Sequence, residues 1–436
     1  MTFIRPARRV MIATASLGAV LLAAACGGGG GDTAPAASAP AVDLSKQGDT
    51  EYWTGKDTSG NLKNVAADFN AQHPEGKIII KELPDNADQQ RAQMIQNTQI
   101  KNPKMGVLNM DVVWTSEFAA KGIAVPLPAD QFPTDEFLQP TVDSGTYFNK
   151  LYGYPQSSDG GLLYYRKDLL GKYSIEPPTT FDEIKAACTK IKAGENDPKL
   201  ECFAGQYNKY EGLTVNFAEA VNGAGGVIVG DDGKPNVATP EATKGLSTLA
   251  DWFKDGTIPK GAITWQEEQG RQAFQNGTLI FHRNWGYVYN LAAKTDGSSK
   301  IVGKYEVAPL PGISGPGVSS LGGHNLAIAT NAENKGTAAD FIKYFTGEEV
   351  MKKNVLATSS SATRESIYSD PEVIKKFAYM PIQLKSIQTA KPRPKAVEYG
   401  DVTLAIQDAA YGALQGQTQP DAALQNLQTK LQTLIK

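Results

Sequence analysis

Residues 107–114, VLNMDVVW, decide the fold, because they form a strongly apolar run that is interrupted only by Asn109 and Asp111. A run of this kind predicts a buried β-strand. Before it, residues 88–100 predict a polar helix, and residues 77–83 (KIIIKEL) predict another strand. Apolar strands that alternate with helices are typical of an α/β fold, and we expect a parallel sheet covered on both faces.

The same alternation extends in both directions from this stretch. A short strand over 50–53 precedes an amphipathic helix that carries Leu62, Val65, Ala66 and Phe69 on one face. Downstream, we predict further strands and helices and a C-terminal helix with Leu424, Leu427, Leu431 and Leu434; the strands are 162–165, 277–282, 304–310 and 325–330, and the helices begin at 181 and about 239. The chain is therefore predicted to be a two-lobed α/β protein. Since open α/β sheets bind ligands at the carboxyl ends of their strands, residues that follow strands are the candidates for a site.

The amino terminus has the three-part layout of a secretory signal. Three arginines precede the apolar run in residues 17–31 (LGAVLLAAACGGGGG), which is short for a membrane span. The run resembles a bacterial lipoprotein lipobox with Cys26 at the cleavage point, although Ala23 stands where leucine is usual. We predict a signal peptide over 1–25, a lipid on Cys26 and a flexible tether over 26–48. A cleaved signal with a chance cysteine, or a transmembrane anchor, are the alternatives.

Composition narrows the function. The chain has 43 Lys and Arg against 46 Asp and Glu, a net charge of −3, and no basic block, so nucleic acid is not an expected partner. Its three histidines, His73, His282 and His324, lack metal-ligand spacing, and we expect no metal and no cofactor. Cys188 and Cys202 are predicted to form a disulfide in an oxidising compartment, with two unpaired thiols as the alternative.

Five segments, in chain order, resemble the solute-binding lipoproteins of ABC transporters, the family that includes maltose- and trehalose-binding proteins. They are MDVVWTSEFAAKG (110–122), YPQSSDGGLLYYRKDLL (154–170), FQNGTLIFHRNWGYVY (274–289), LGGHNLAIAT (321–330) and KPRPKAVEYGDV (391–402). The resemblance covers nearly the whole chain after the tether.

The resemblance implies a periplasmic-binding-protein-like fold in which a sugar is clamped in a cleft between two lobes. Lobe 1 is expected to comprise 49–160 and 309–355, and lobe 2 to comprise 161–308 and 356–436. Three hinge crossings are expected near 157–162, 309–322 and 356–362. Hinge closure around the ligand would be read by a membrane permease, and the protein would perform no chemistry. We expect a monomer on the outer face of the bacterial cell membrane.

Polar candidates for the ligand site lie at strand ends and helix starts. A sugar's hydroxyls could satisfy Asp111 after its apolar strand, or Asp111 could cap the neighbouring backbone. Asp159 lies in the first crossing, where an ordinary Asx turn is the alternative. The resemblance puts either Glu267 or Glu268 in the cleft. Arg393, between two prolines, offers a forked donor for vicinal hydroxyls, with a surface salt bridge as the alternative.

Trp285 is the predicted stacking floor, because an indole matches the apolar face of a sugar ring and its flanking Asn and Gly indicate a loop. Trp53, Gly323 and His324 complete the predicted ligand set, and Trp252 is predicted to be core. Many trehalose-type relatives have tryptophan where His324 stands, which leaves the sugar open.

The sequence therefore predicts the binding lipoprotein of an ABC importer for a sugar, with a disaccharide such as trehalose or maltose favoured. The alternative hypothesis is a secreted carbohydrate hydrolase that uses two carboxylates from the set Asp111, Asp159, Glu267 and Glu268. A binder of non-sugar polar solutes is the third.

Overall fold

A computed structural model describes residues 42–435, in which the strands form two larger sheets and one small hairpin. In chain order the strands are β1 Thr50–Thr54, β2 Ile78–Glu82, β3 Met105–Asp111, β4 Thr146–Tyr147, β5 Lys150–Leu151, β6 Tyr154–Asp159, β7 Leu162–Arg166, β8 Glu201–Ala204, β9 Leu279–Asn284, β10 Tyr305–Ala308 and β11 Gly322–Ile328. The predicted signal peptide, Cys26 and most of the predicted tether lie outside the described residues.

Helices cover the sheets and form the carboxyl-terminal part. In chain order they are α1 Leu62–Gln72, α2 Ala87–Gln99, α3 Thr115–Ala120, α4 Gln139–Ser144, α5 Lys167–Lys172, α6 Phe181–Glu195, α7 Glu211–Gly223, α8 Pro240–Asp255, α9 Glu267–Gln275, α10 Val288–Ala292, α11 Lys335–Thr346, α12 Glu348–Thr358, α13 Glu365–Tyr368, α14 Pro371–Lys376, α15 Met380–Thr389, α16 Tyr399–Leu414 and α17 Pro420–Leu434. The strands and helices predicted from the sequence are present, with their ends shifted by a few residues. No helix within residues 42–435 has both the length and the apolar character needed to span a bilayer.

The first sheet has the strand order β2-β1-β3-β11-β6. Strand β1 runs parallel to β2 and β3, whereas β11 is antiparallel to both β3 and β6. The prediction of a parallel sheet therefore holds for β1, β2 and β3 and is wrong for β11. The physical reason is that the chain returns from the second sheet and enters β11 at the edge where β3 and β6 end, so β11 must run in the opposite direction.

The second sheet has the order β10-β7-β9-β8 and is also mixed. Only β8 and β9 are parallel. The chain passes from the first sheet to the second over Gly160 and Gly161, between β6 and β7, and returns over residues 309–321, between β10 and β11. These two connections lie within the crossings predicted near 157–162 and 309–322.

The carboxyl-terminal helices connect the two halves again. Helix α11 packs on the first sheet and against α12, whereas α16 and α17 pack against α7 and α8 of the second half. Between them, the Ser359 hydroxyl donates to the Gly286 carbonyl oxygen at 3.0 Å, and the Ser361 hydroxyl donates to Asp159 at 2.9 Å. Residues 359–361 thus contact both halves, at the position predicted for the third crossing. The predicted lobe boundaries themselves stay predictions.

The decisive strand ends earlier than the sequence suggests. The strand β3 stops at Asp111, and residues 112–114 form a turn that leads into α3. The Asp111 carboxylate accepts a hydrogen bond from the Val113 backbone N–H at 3.1 Å. Such a side-chain-to-backbone bond competes with the sheet ladder and ends it. Trp114 is consequently buried beside α3, stacked on Phe118 with the ring centroids 5.7 Å apart.

Two further sequence features have structural outcomes. Cys188 on α6 and Cys202 on β8 form the predicted disulfide. Trp252 packs edge-on against Phe181 and Phe203 in the core, as predicted.

The last residues of the predicted tether are in contact with α11 and with Glu333, two residues before its start. Lys46 Nζ lies 2.8 Å from a Glu333 carboxylate oxygen, Gln47 donates to Asp340 at 2.9 Å, and the Gly48 N–H donates to the Thr337 hydroxyl at 3.1 Å. Residues 46–48 are therefore attached to the first half of the molecule, which corrects the carboxyl-terminal end of the flexible segment.

Candidate ligand-binding cleft

The ends of three strands of the first sheet form one wall of a cleft. In the ladder, Asp111 at the end of β3 is paired with His324 on β11, and Asp159 at the end of β6 is paired with Gly322. The two carboxylates and the start of β11 therefore lie at one edge of the sheet.

This edge faces residues of the second half across a cavity of about 310 Å³, a size within the usual range for small-molecule sites. Eight of the nine predicted ligand residues line it, namely Asp111, Asp159, Glu267, Glu268, Trp285, Gly323, His324 and Arg393. The structure brings these residues together; their roles stay predictions.

Trp53 is the exception. Its side chain is buried in the core on the other face of the first sheet, with Nε1 donating to Glu51 at 2.8 Å. Side chains alternate along a strand, and it is the next residue, Thr54, that lines the cavity. The assignment of Trp53 to the site is therefore not supported.

Arg393 joins the two walls. One of its guanidinium nitrogens donates to the Asp111 carboxylate at 2.9 Å, and the other donates to Glu211 at the start of α7. Its side chain is only 2% exposed, so this is a buried ion network and not a surface salt bridge. Asp111 thus both caps the neighbouring backbone and pairs with Arg393, which fixes the direction of its carboxylate.

Glu211 was not found from the sequence. Its carboxylate accepts from the Tyr399 hydroxyl at 2.6 Å and from the Thr403 hydroxyl at 2.7 Å, in addition to Arg393. Burial raises the pKa of Glu211 to about 7, against the favourable charge of Arg393 and together with the repulsion of Asp111. The three-residue cluster of Asp111, Arg393 and Glu211 spans the cleft.

Asp159 has a different environment. Within residues 42–435 its carboxylate accepts one hydrogen bond, from the Ser361 hydroxyl, and pairs with no cation. Burial raises its pKa above the usual value, and the Ser361 hydrogen bond opposes the shift. A carboxylate in this situation has acceptor capacity left for a ligand's hydroxyl groups.

The two candidate glutamates at the start of α9 are distinguished by their partners. The Glu268 carboxylate pairs with Arg271 and accepts from the Tyr287 hydroxyl at 2.8 Å. Among the described residues the Glu267 carboxylate makes no ion pair; burial raises its pKa, and the nearby Tyr210 hydroxyl opposes the shift. Glu267 is therefore the glutamate at the cleft that no cation neutralises.

Trp285 follows β9 at the point where Asn284 pairs with Leu162, the first residue after the first crossing. Its backbone N–H donates to the Asn284 side chain at 2.8 Å, and its carbonyl oxygen accepts from the Tyr164 hydroxyl at 2.7 Å. The indole is partly exposed and lines the cavity, so it does not belong to the buried core.

His282 supports this loop from beneath. It is fully buried, with Nδ1 3.0 Å from the Ala204 carbonyl oxygen and Nε2 2.9 Å from the Asn284 side-chain nitrogen. Burial lowers its pKa to about 3, so the ring is neutral, and these contacts place its proton on Nδ1. The same Asn284 side chain also donates to the Glu267 carbonyl oxygen at 3.2 Å.

Close backbone packing shapes the floor of the cleft at Gly322 and Gly323. Gly323 has φ +106, and an added Cβ would lie 2.2 Å from the Ser157 carbonyl oxygen. At Gly322 a Cβ would come within 2.9 Å of the Trp285 ring. Only glycine fits at position 323 without strain, which explains the residue type at this point of the cleft.

Three buried polar atoms among the cavity-lining residues lack a hydrogen-bond partner within the described chain. They are Asn109 Oδ1, Tyr210 Oη and Arg393 Nε. Unsatisfied buried polar atoms are costly, and a ligand with hydroxyl groups could supply both donors and acceptors to them. Within residues 42–435, no group of three or more His, Cys, Asp or Glu side chains is arranged to hold a metal ion.

Tyr210 and Tyr287, like Glu211, line the cavity without having been predicted from the sequence. Tyr287 lies two residues beyond Trp285, in a motif that was already recognised. Glu268 and Arg271 have the i, i+3 spacing of a helical ion pair, a signal that could have separated Glu268 from Glu267.

The cleft lies between two mixed sheets that are joined by the chain crossings, and carboxylates and aromatic rings line it. This arrangement is that of a two-lobed ligand-binding protein. Residues 53–352 match the family described as bacterial extracellular solute-binding protein, and the chain belongs to that family. The expected relationship to the solute-binding proteins of ABC transporters is thus confirmed, as is the two-lobed α/β fold.

Individual relatives agree with this assignment. The chain is 32% identical over 382 residues to a probable ABC transporter-binding protein of Deinococcus radiodurans, covering 84% of this chain and 88% of the relative. A solved structure of maltose-bound MalE3 from T. maritima is 31% identical, covers 88% of this chain and 99% of that chain, and superposes with a TM-score of 0.84. A galactooligosaccharide-binding protein of Bacillus subtilis is 23% identical over 403 residues, covering 89% of this chain and 90% of the relative. Both of these curated relatives are described as binding proteins, and the T. maritima structure is described as maltose-bound.

Proposed function

We propose that this chain captures a sugar, most simply a disaccharide such as maltose or trehalose, by closing its two halves around it. The closed form would then be recognised by the permease of an ABC importer. The observation that carries this proposal is the partly exposed indole of Trp285 in a cavity whose other walls present carboxylates with free acceptor atoms.

This combination suits a sugar. The C–H faces of a pyranose ring stack on an indole, and the hydroxyls at its rim donate to carboxylates. Asp159 at the end of β6 and Glu267 at the start of α9 would each accept such hydroxyls, so that both halves hold one ligand. Contacts that exist only when both walls touch the sugar would favour the closed state.

The relatives support the sugar class. The T. maritima structure holds maltose, and the B. subtilis relative is described as binding galactooligosaccharides. The particular disaccharide remains part of the proposal.

A thermal-shift screen tests the sugar class directly. The panel would contain maltose, trehalose, a maltooligosaccharide and a galactooligosaccharide, with spermidine and a dipeptide as representatives of the other solutes. A ligand at a hundredfold excess over its dissociation constant stabilises the native state by about 2.7 kcal/mol, so the correct ligand should raise the melting temperature by several degrees. Calorimetry on the positive compounds then gives affinity and stoichiometry. A shift only with spermidine or the dipeptide, or none with any sugar, would contradict the proposal.

We also propose that the chain catalyses no reaction on its ligand. A hydrolase would need one carboxylic acid and one carboxylate across the scissile bond. Asp111 is paired with Arg393 and Glu268 with Arg271, so Asp159 and Glu267 are the pair whose activity the test must exclude. The test is prolonged incubation with the same sugars, followed by chromatography of the products. Release of monosaccharide at a rate proportional to protein concentration would favour the hydrolase reading.

Localisation and assembly complete the proposal. We propose that Cys26 is lipidated and that the protein acts as a monomer on the outer face of the cell membrane. Metabolic labelling with a fatty-acid analogue should mark the wild type but not a Cys26→Ser variant, which should leave the membrane fraction. Light scattering after gel filtration of the variant should give the mass of one chain.

A further inference from the structure

A buried ion pair lies directly behind the proposed stacking surface. The Arg283 Nε donates to the Glu219 carboxylate at 2.7 Å, and Nη2 donates to its other oxygen. Arg283 is 2% exposed and Glu219 is 8% exposed. Nη1 of Arg283 also donates to Gln206 at 3.0 Å. A buried pair of this kind is weak evidence for stability, because an apolar pair of similar size is often as stable. It therefore calls for another explanation.

The arginine covers one face of Trp285. The central carbon of the Arg283 guanidinium lies 3.8 Å from the centroid of the indole ring. The far edge of the same ring lies against Gly322, where a Cβ would come within 2.9 Å of two ring carbons. One face and one edge of the indole are thus in contact with the protein, and the ring contributes its remaining surface to the cavity.

The glutamate connects the pair to the first two crossings. One Glu219 oxygen accepts from the Ser320 backbone N–H at 3.2 Å and lies 3.3 Å from the Ser319 hydroxyl, both in the second crossing. The Ser319 hydroxyl in turn accepts from the Gly161 N–H, in the first crossing, at 2.6 Å. A Cβ on Gly161 would lie 2.7 Å from Arg283 Nη2 and 2.8 Å from Glu219 Oε1.

We infer that the Arg283–Glu219 pair sets the plane of Trp285 and links it to the two crossings, which makes Arg283 a positioning residue for sugar capture. The inference rests on the proposed function, because it assigns Arg283 a role through the stacking ring. A planar guanidinium held by a bidentate carboxylate is suited to this role, whereas an ammonium group cannot make the same flat contact.

The first test is an Arg283→Lys variant, which keeps the charge but loses the fork and the flat contact. With maltose as the probe, we expect its affinity to fall roughly threefold to thirtyfold, the range of a partly to fully desolvated cation–π contact. In a Trp285→Ala background the same change should have almost no further effect, since the ring through which Arg283 acts is missing. An equal loss in both backgrounds, or no loss in the wild type, would overturn the inference.

Arg364 offers a matched control. Its guanidinium lies 4.4 Å from the Phe137 ring centroid, pairs with Glu136 and is 8% exposed, but it does not line the cavity. Arg364→Lys should leave maltose affinity unchanged. If it weakens binding as much as Arg283→Lys does, the effect is general destabilisation and the inference is wrong.

A second variant guards against a simple folding defect. Gly161→Ala adds one methyl group that must displace the Arg283–Glu219 pair, and it leaves Arg283 and Trp285 themselves unsubstituted. It should weaken maltose binding in the same direction as Arg283→Lys, and the denaturant midpoint of each variant shows whether it is folded. A folded Gly161→Ala variant with wild-type affinity would contradict the link to the crossings.

A measurement without sugar separates this inference from the proposed function. The fluorescence of Trp285 is obtained as the difference between the wild type and Trp285→Phe, and again with Arg283→Lys present in both. Loss of the guanidinium should change the emission of Trp285 and make it easier to quench with acrylamide. If no sugar binds, the proposed function fails while this result still tests the geometry; unchanged quenching would overturn the positioning role itself.

Discussion

The two walls of the cleft are built differently. The first-sheet wall consists of strand ends, where Asp111 and Asp159 are held by hydrogen bonds beside the close-packed glycines of β11. The second-half wall consists of helix starts and a loop, which carry the rings of Tyr210, Trp285 and Tyr287 together with Glu267.

The difference indicates a division of labour in recognition. The first wall is a rigid set of acceptors whose directions are fixed by the protein's own donors. The second wall provides apolar area and an acceptor, Glu267, that no cation neutralises. A sugar has an apolar face and a hydroxylated rim, so each wall matches a different part of the same ligand.

The largest expected effect is the contrast between replacing Trp285, in the second wall, and replacing Trp114, which is buried behind the first wall. Trp285→Ala should lower sugar affinity ten- to a thousandfold, because stacking and covered area are both lost, with little change in the denaturant midpoint. Trp114→Ala, at a buried position behind the first sheet, should instead cost about 3–5 kcal/mol of folding stability while the folded fraction still binds. Calorimetry and denaturant titration of both variants make the comparison. A sharp fall in the midpoint of Trp285→Ala with normal binding by its folded fraction would show that Trp285 is core.

Removing the disulfide tests whether the stability of the second half can be lowered without affecting sugar binding by its cleft wall. The 14-residue separation of Cys188 and Cys202 corresponds to about 3 kcal/mol in the chain-entropy description. Reduction, or replacement of both cysteines by serine, should lower the unfolding free energy by an amount of that order. Sugar affinity should stay within about twofold of the wild type, because neither cysteine lines the cavity. A parallel loss of affinity would mean that the wall depends on the disulfide.

The carboxylates of the first wall should differ from each other. Asp159→Asn removes a charge that no cation neutralises, so affinity should fall about tenfold to a hundredfold while the unfolding midpoint stays equal or rises. Asp111→Asn weakens the buried pair with Arg393, and we expect it to lower the midpoint as well as the affinity. Calorimetry and denaturant titration distinguish the two outcomes. Identical behaviour of the two variants would contradict the environments described above.

The smallest effect concerns the pH dependence of the cluster that spans both walls. The pKa of Glu211 is about 7 in the folded chain, above its usual value of 4.5. Between these values the folded chain holds a proton that the unfolded chain has released, so this group lowers stability as pH rises through that window. The midpoint of the wild type relative to Glu211→Gln should therefore fall from pH 5 to pH 7. His282 has the opposite sign but is present in both chains and cancels. Parallel midpoint curves would show that Glu211 titrates normally.

Local sequence patterns predicted much of this comparison. The apolar run that leads to Asp111 indicated a strand near the site, the family resemblance placed Asp159 in the first crossing, and the Asn and Gly around Trp285 indicated a loop. The failures have physical causes. For Trp53 the sequence does not decide between core and cleft. The alternation of side chains along β1 places Trp53 in the core, and its neighbour Thr54 lines the cavity.

The other features that were not predicted from the sequence depend on contacts between residues far apart in the chain. Glu211 belongs to the site because Arg393, 182 positions further along the chain, donates to it across the cleft. No periodicity or spacing encodes such a contact. For the same reason the predicted role of Arg393 as a free forked donor could not anticipate that Asp111 and Glu211 occupy its two terminal nitrogens.

The attachment of residues 46–48 to Glu333 and α11 has a mechanical consequence. Under the proposal that Cys26 is lipidated, the chain that leads from the anchor joins the half of the molecule that contains the first sheet. A pull on the anchor would thus reach this half directly. During hinge closure the half that carries Trp285 would then move toward the anchored half. The aromatic wall would approach the wall that carries Asp111 and Asp159.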